Sequence, residues 1–259
     1  LLNMDTLARR MVHMFFAFVS FREMNAFFSL PQDSHGAKAI VPMGHFGLEG
    51  ISIAARNLSF AHPNSTPLFE HLDLNVVAGE KIALLCQSNV QKTAVTKVLA
   101  GLLPPTGGVV RYNDMNLVEV SLESIDPYRG LMLDSQPTLL EGTIEDNLTL
   151  GRSAISHDDI LWALHFVELD DEIDHFPDGL ATQVTGHRDQ FTLSQTLRFL
   201  LARAIVIRPH VLIIDGTLHN MIPTLRETIL RRLCSKDEPW SVIFVTNDPT
   251  FATYVDRRV

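Results

Sequence analysis

The chain has 259 residues, of which 46% are apolar and 20% charged, and it carries a net charge of −9. This length suits one large α/β domain or one domain with an extension. An acidic chain without basic runs is a poor nucleic-acid binder, because phosphate contacts need clustered Lys and Arg. The two cysteines, Cys86 and Cys234, lack paired spacing, which argues against a disulfide framework or zinc site and favours a reducing compartment.

The N-terminal segment differs in pattern from the rest of the chain. Residues 1–30 have a broad apolar face at helical spacing, and residues 31–48 contain repeated Pro and Gly, which predicts a helix and then a linker. The most apolar stretch, residues 11–21, is shorter than the ~18–20 residues that span a bilayer. Two interpretations of the helix stay open: a core-packing or dimerising helix, or the cytoplasmic end of a transmembrane helix. The chain starts without Met, so we expect it to be a piece of a longer protein.

A compact domain is predicted from residue 49 to residue 259. In its first half, short apolar runs bounded by turn residues predict strands at residues 51–60, 68–77, 81–86, 108–112 and 131–133. A helix is predicted at residues 93–99, before Gly101.

In the second half, two capping patterns predict where helices begin. Ser156 precedes Asp159 by three residues and opens a helix at 157–169, and Thr192 with Gln195 opens a helix that runs to about residue 207. The fully apolar runs 211–214 and 242–245 are typical of buried parallel strands. Pro223 fits the first turn of a helix that continues to residue 234. Strands that alternate with helices indicate an α/β fold with a parallel core sheet.

The segment 86–93 is partly similar to the phosphate-binding pattern G-x-x-x-x-G-K-S/T. Lys92 and Thr93 match the pattern, whereas Cys86 and Gln91 stand where it has glycine. Taken alone, this match is weak and is better explained by a lysine at the start of a helix. Two further residues add context, because Asp215 ends the apolar run 211–214 and Gln136 follows the predicted strand 131–133.

The order and spacing of these landmarks resemble the ATPase domains of ABC exporters in which membrane and ATPase domains are fused. The resemblance covers residues 49–259 and rests on the stretches LSFAHP, LAGLLPPTGGVV, EGTIEDNL, HFPDGLATQV and FLLARAIVIRPHVLIIDG. It implies a P-loop NTPase-like α/β fold with a mostly parallel core sheet, an antiparallel β subdomain, and a helical subdomain at about 137–207. Residues 1–30 resemble the cytoplasmic end of such a transporter's last membrane helix, and type I secretion exporters are the most similar group.

The resemblance also implies ligands, partners and a location. ATP and Mg²⁺ are the expected cofactors, with His62 in the place of the tyrosine that stacks on adenine. The phosphate-binding positions are Ser88, Asn89, Val90, Gln91, Lys92, Thr93 and Gln136. The Mg²⁺ positions are Thr93, Gln136 and Asp215. The implied partners are a transmembrane domain and a second ATPase domain, as a homodimer or heterodimer, at the cytoplasmic face of the cell (inner) membrane.

This chain departs from the family at the positions that hydrolyse ATP. Gly216 replaces the carboxylate after Asp215, and Asn247 replaces the histidine that contacts the γ-phosphate. Both signature glycines are missing in the segment Thr192, Leu193, Ser194 and Gln195, where simple helix capping is the favoured interpretation. At Cys86 and Gln91 we expect either backbone strain of ~1–3 kcal/mol each or a loop of different shape. No catalytic residue is therefore predicted.

Three functions are consistent with these features. The favoured one is a degenerate ATPase domain with a structural or regulatory role in export, which binds ATP weakly or not at all. The second is an active exporter subunit with unconventional residues, and the third is a free-standing scaffold that reuses the fold.

Overall fold

The structure is a computed structural model that describes residues 39–40, 46, 50–133, 138–185 and 190–259. The predicted helix at 1–30, nearly all of the linker at 31–48, and Gln136 lie outside the described residues. Residues Ala39–Val259 form one compact unit. Across the described ranges, every helix falls short of the length and apolarity that a bilayer-spanning segment requires.

Strands and helices alternate along most of the chain. The strands are β1 (Ile53–Phe60), β2 (Phe69–Val76), β3 (Lys81–Leu85), β4 (Gly107–Tyr112), β5 (Met115–Asn116), β6 (Arg129–Met132), β7 (Gly142–Thr143), β8 (Gln183–Val184), β9 (Val211–Asp215), β10 (Ser241–Thr246) and β11 (Arg257–Arg258). The α-helices are α1 (Asn89–Leu99), α2 (Leu122–Ile125), α3 (Ile144–Thr149), α4 (His157–Phe166), α5 (Asp170–Asp174), α6 (Leu193–Ile205) and α7 (Pro223–Leu233). Short 3-10 helices lie at Asp126–Tyr128, Gly179–Ala181, Thr217–Asn220 and Pro249–Thr253.

A parallel sheet in the order β11-β3-β10-β9-β6 is the centre of the fold. Val245 of β10 pairs with Leu84 of β3 on one side and with Asp215 of β9 on the other. The carboxyl ends of these three strands therefore meet at one edge of the sheet, which is where ligand sites form in open α/β sheets.

Two hydrophobic cores cover the two faces of this sheet. Successive residues of β9 alternate between them, because neighbouring side chains of a strand point to opposite faces. Val211 and Ile213 pack in the core shared with α1 and the antiparallel sheet β2-β1-β4-β5. Leu212 and Ile214 pack in the core shared with α3 to α7. Each fully buried aliphatic side chain contributes about 1.5–3 kcal/mol, so the cores fix β9 firmly between the layers.

The predicted α/β fold with a parallel core sheet is confirmed, with several boundary differences. The helix predicted at 93–99 begins four residues earlier, at Asn89, because Ser88 caps it and the segment has no glycine to interrupt it. The helix predicted at 157–169 ends at Phe166, and the one predicted to reach about 207 ends at Ile205. The helices that lie between 137 and 207 are α3 to α6, but their separation as a subdomain stays a prediction.

Candidate functional site

Lys92, Thr93 and Asp215 come together at the carboxyl edge of the parallel sheet. The Thr93 hydroxyl donates a hydrogen bond to Asp215 Oδ2 over 2.9 Å. The Lys92 Nζ atom lies 3.2 Å from Asp215 Oδ1. Both partners of Asp215 lie on the first two turns of α1, so one short stretch of helix engages both carboxylate oxygens.

This ion pair is buried. The Lys92 side chain is 2% exposed and the Asp215 side chain is 0% exposed. Removal of one partner from a buried pair typically costs about 3–5 kcal/mol, because the remaining charge is left without compensation. The pair therefore holds α1 against the end of β9.

The segment before Lys92 forms a capped helix start. The Ser88 hydroxyl accepts a hydrogen bond from the Gln91 backbone N–H over 3.2 Å. The Gln91 side-chain carbonyl accepts one from the Gln87 N–H over 2.9 Å. The Lys92 N–H donates to the Ser88 carbonyl over 2.9 Å. Three backbone amides of this segment are thus engaged by the chain's own oxygens.

The predicted backbone strain at Cys86 and Gln91 is wrong. The structure shows the other predicted outcome, in which the segment has a different shape from a glycine-rich loop. Gln91 lies in the first turn of α1, and neither residue has a positive φ. Once the chain enters a helix at Asn89, the left-handed conformation that glycine permits is no longer needed. Burial, together with the charge of Asp215, raises the pKa of the Cys86 thiol to about 11, and Lys92 partly offsets this rise.

Gly216, at the position where the resemblance leads us to expect a catalytic carboxylate, has a left-handed backbone with φ +40°. A Cβ atom at this position would lie 2.7 Å from Lys92 Nζ and 3.1 Å from Lys92 Cδ. It would also lie 3.3 Å from the carbonyl oxygen of Val245. The Lys92 side chain therefore fills the space into which a side chain at residue 216 would extend.

His62, the predicted adenine-stacking position, lines one cavity together with residues from the start of α1. Its ring packs edge-on against Phe60, with a centroid distance of 5.1 Å. A cavity of about 350 Å³ is lined by residues that include His62, Asn89, Val90, Thr93, Lys97 and Leu103. The cavity is large enough for a nucleobase-sized group next to the helix start.

At the start of α6, the predicted capping interpretation is confirmed. The Thr192 hydroxyl accepts from the Gln195 N–H over 3.2 Å, and the Gln195 side-chain carbonyl accepts from the Thr192 N–H over 2.8 Å. The Gln195 Nε2 donates to Glu172 Oε2 over 2.6 Å. Leu193 is 48% exposed at this helix start, and the Ser194 hydroxyl is buried without a hydrogen-bond partner among the described residues.

Asn247 lies at the same edge of the sheet as Asp215. It is the first residue after β10. Val245, two positions earlier, pairs with Asp215. Its side chain is exposed. Gln136, the remaining predicted member of the site, lies outside the described residues.

The donor set around Asp215 meets only part of what Mg²⁺ and ATP require. The Thr93 hydroxyl and the Asp215 carboxylate are oxygen ligands of the kind that Mg²⁺ prefers, but Mg²⁺ usually keeps several waters. Asp215 is fully buried and ion-paired with Lys92, and the Gln91 amide, one of those at the predicted phosphate-binding positions, is engaged by the Ser88 hydroxyl. The arrangement therefore does not fit Mg²⁺-ATP without a change in Lys92 and in the capped segment.

Two features of the site were missed from the sequence. The first is the helix start at Ser88, which the pattern Ser-x-x-Gln at Ser88 and Gln91 would have indicated. The second is the contact between Gly216 and Lys92, for which the sequence carries no local signal because it depends on the packing of α1 against β9.

Comparisons with known proteins identify the family. The model of the ABC transporter family matches residues 69–219, which is more than half of the chain. The chain therefore belongs to the ABC transporter family, as the motifs suggest.

Two curated relatives are similar to this chain. The mesentericin transport/processing ATP-binding protein MesD of Leuconostoc mesenteroides is 27% identical over 207 residues, which are 80% of this chain and 28% of that protein. The glutathione/L-cysteine transport system ATP-binding/permease protein CydD of Bacillus subtilis is 27% identical over 197 residues, which are 74% of this chain and 34% of that protein. The chain thus spans about a third of the length of these relatives.

A solved structure has the same fold. It is a bacterial Atm1-family ABC exporter with ATP bound, which aligns with a TM-score of 0.80 and 19% identity over 100% of this chain and 44% of its own. With the family match, this confirms the ABC ATPase fold that the sequence predicts.

Proposed function

We propose that this chain is the nucleotide-binding domain of an ABC exporter that no longer hydrolyses ATP and binds it weakly or not at all. Membership of the ABC transporter family supports the domain assignment, as do the two relatives, which are ATP-binding proteins of transport systems. In this proposal the chain is attached to a transmembrane domain at the cytoplasmic face of the cell (inner) membrane. It pairs with a second ATPase domain and has a structural or regulatory role.

The loss of hydrolysis follows from the residues at the carboxyl edge of the sheet. Glycine at position 216 can neither orient nor deprotonate a water molecule, and a general base typically contributes 10²–10⁴-fold, on the order of 3–5 kcal/mol. Asn247 can donate a hydrogen bond but cannot carry the charge of a histidine. Without these groups, the retained Lys92, Thr93 and Asp215 supply no route for proton removal.

Weak ATP binding follows from the capped segment before Lys92, and this is the observation that carries the proposal. A phosphate that takes the Gln91 amide must break the Ser88 cap, which costs about 1 kcal/mol. It must also compete with Asp215 for Lys92. Since about 1.4 kcal/mol corresponds to a tenfold change, we expect an affinity at least an order of magnitude below that of a site with free amides.

The start of α6 supports the same conclusion for a paired site. A helix N-terminus binds anions through its free amides, but the Gln195 amide here is engaged by Thr192. In a head-to-tail dimer of two such chains, neither composite site is complete. With an intact partner, one site lacks the carboxylate at residue 216 and the other lacks the signature glycines at residues 192–195.

The proposal is tested by isothermal titration calorimetry with Mg²⁺-ATP and by steady-state ATPase assays on the full chain. We expect binding in the millimolar range or none, and turnover equal to that of Lys92→Ala. The exposed Lys236→Ala is the matched control, because it removes the same charge away from the site. ATPase activity that Lys92→Ala abolishes and Lys236→Ala leaves intact would show instead an active exporter subunit with unconventional residues.

A further inference from the structure

Both oxygens of the Asp215 carboxylate have a partner on α1: Oδ2 accepts a hydrogen bond, whereas Oδ1 has an ion pair but no hydrogen bond among the described residues. Thr93 donates to Oδ2 over 2.9 Å, and the Lys92 ammonium lies 3.2 Å from Oδ1. A carboxylate with 0% exposure cannot be stabilised by water, so it needs a cation or protein donors within contact distance. In this structure the cation is supplied by the chain itself.

Gly216 makes this position of Lys92 possible. Any other residue would carry a Cβ atom 2.7 Å from Lys92 Nζ and 3.1 Å from Lys92 Cδ, so the Lys92 side chain would have to shift from its place beside Asp215. Residue 216 also has φ +40°, a conformation that side chains disfavour. Lys92 can therefore lie beside Asp215 only because residue 216 has no side chain.

We infer that the Lys92 ammonium is a built-in cation that takes the place of a divalent metal ion beside Thr93 and Asp215, and that Gly216 holds it there. The inference deepens the proposed function, since it explains why a chain that keeps Thr93 and Asp215 does not use them to hold Mg²⁺. A single ammonium neutralises the Asp215 charge without bound water. A hydrated Mg²⁺ ion would need space for several waters around a carboxylate that is fully buried here.

The same ammonium cannot serve two anions at once. While Lys92 compensates Asp215, it is withdrawn from any phosphate at the start of α1, and a phosphate that recruits it leaves Asp215 uncompensated. Metal binding, phosphate binding and the Gly216 contact are thus coupled through one side chain.

The first test uses the full chain without nucleotide and compares wild type, Lys92→Met, and Lys92→Met combined with Asp215→Asn. Thermal unfolding is followed with and without millimolar Mg²⁺, and Mn²⁺ binding is measured by electron paramagnetic resonance. We expect wild type to show no metal-dependent shift in Tm and no bound Mn²⁺. We expect Lys92→Met to lose several degrees in Tm, to recover much of this loss with Mg²⁺, and to bind Mn²⁺. The double variant should recover without metal and should not bind Mn²⁺, because no buried charge remains.

The second test isolates Gly216. The variant Gly216→Ala is compared with Gly179→Ala, because Gly179 has a similar φ of +50° but no described atom lies within 4 Å of its Cβ position. Both variants strain the backbone, and only Gly216→Ala displaces Lys92. We expect a clearly larger loss of Tm for Gly216→Ala and the appearance of Mn²⁺ binding in that variant alone.

Three results would overturn the inference. They are Mn²⁺ bound by wild type with an affinity equal to that of Lys92→Met, an unchanged Tm in Lys92→Met, and equal losses of Tm in the two glycine variants. The wild-type and glycine arms remain decisive even when Lys92→Met does not fold. All arms are free of nucleotide, so tight Mg²⁺-ATP binding by wild type in calorimetry would contradict the proposed function separately.

Discussion

The starts of α1 and α6 carry the same capping pattern in very different surroundings. Each has Ser or Thr at the cap and Gln three residues later, at Ser88 with Gln91 and at Thr192 with Gln195. The first turns of α1 lead into the buried ion pair of Lys92 and Asp215, whereas the first turn of α6 ends at the surface beside the half-exposed Leu193. The comparison indicates that local sequence determines where each helix starts. Packing against β9 then determines how much the residues of the first turns contribute to the free energy of unfolding.

The largest loss of stability is expected at the start of α1. Asp215→Ala leaves Lys92 buried without its carboxylate and should lower the free energy of unfolding by about 3–5 kcal/mol. Urea denaturation followed by circular dichroism measures this, with the exposed Glu141→Ala as the control. A loss below that of an ordinary surface substitution would show that the ion pair does not hold α1 in place.

A smaller effect is expected from the corresponding acidic group near α6. Glu172 accepts hydrogen bonds from Gln195 and from the buried Arg198, but its own side chain is 36% exposed. Solvent reaches Glu172, and the buried Arg198 keeps its hydrogen bond to the Glu168 carbonyl, so Glu172→Ala should cost about 1.5–3 kcal/mol, less than Asp215→Ala. Equal losses for the two variants in the same urea experiment would remove the difference between the two helix starts.

The two caps themselves should contribute similar amounts. Ser88→Ala and Thr192→Ala each remove one hydroxyl acceptor, and each should lower the free energy of unfolding by about 1 kcal/mol. The variants Ser88→Asp and Thr192→Asp keep a side-chain oxygen acceptor at the cap, so they should retain most of the wild-type free energy of unfolding. A cap that contributes nothing at Ser88 would mean that the helix start at Asn89 does not depend on it.

The smallest effect is a difference in pH dependence between amide and carboxylate caps. In the capping box of α4, the hydrogen bond from the Ser156 hydroxyl lowers the pKa of Asp159 from its ordinary value of 3.8. A folded-state pKa below the unfolded value means that this stabilisation is present above pH 3.8 and is lost as the pH falls through the folded pKa.

The loss of stability in Ser156→Ala should therefore shrink when the pH is lowered from 7 to below 3.8, as Asp159 takes up its proton. The loss in Thr192→Ala should not change in the same way, because the side-chain amide of Gln195 does not titrate. Thermal unfolding of both variants against wild type across this pH range measures the contrast. A Thr192→Ala loss that follows pH as closely as that of Ser156→Ala would contradict it.

Much of the fold follows from the sequence, because its signals are local or periodic. The apolar runs at β9 and β10 predict buried parallel strands, and the capping boxes at Ser156 and Thr192 predict helix starts. The helix start at Asn89 is not predicted, because Lys92 and Thr93 resemble the end of a glycine-rich loop, although Ser88 and Gln91 indicate a cap. The contact of Lys92 with Gly216 could not be predicted, since it depends on the exact placement of α1 over β9.

The packing of Lys92 over Gly216 also limits which residues position 216 accepts. A glutamate at this position would bring its Cβ atom within 2.7 Å of Lys92 Nζ, on a backbone with φ +40°. The Lys92 side chain would therefore have to move away from Asp215 to make room for it. A change at the start of α1 that relocates Lys92 would have to come before, or together with, any substitution that adds a side chain at residue 216.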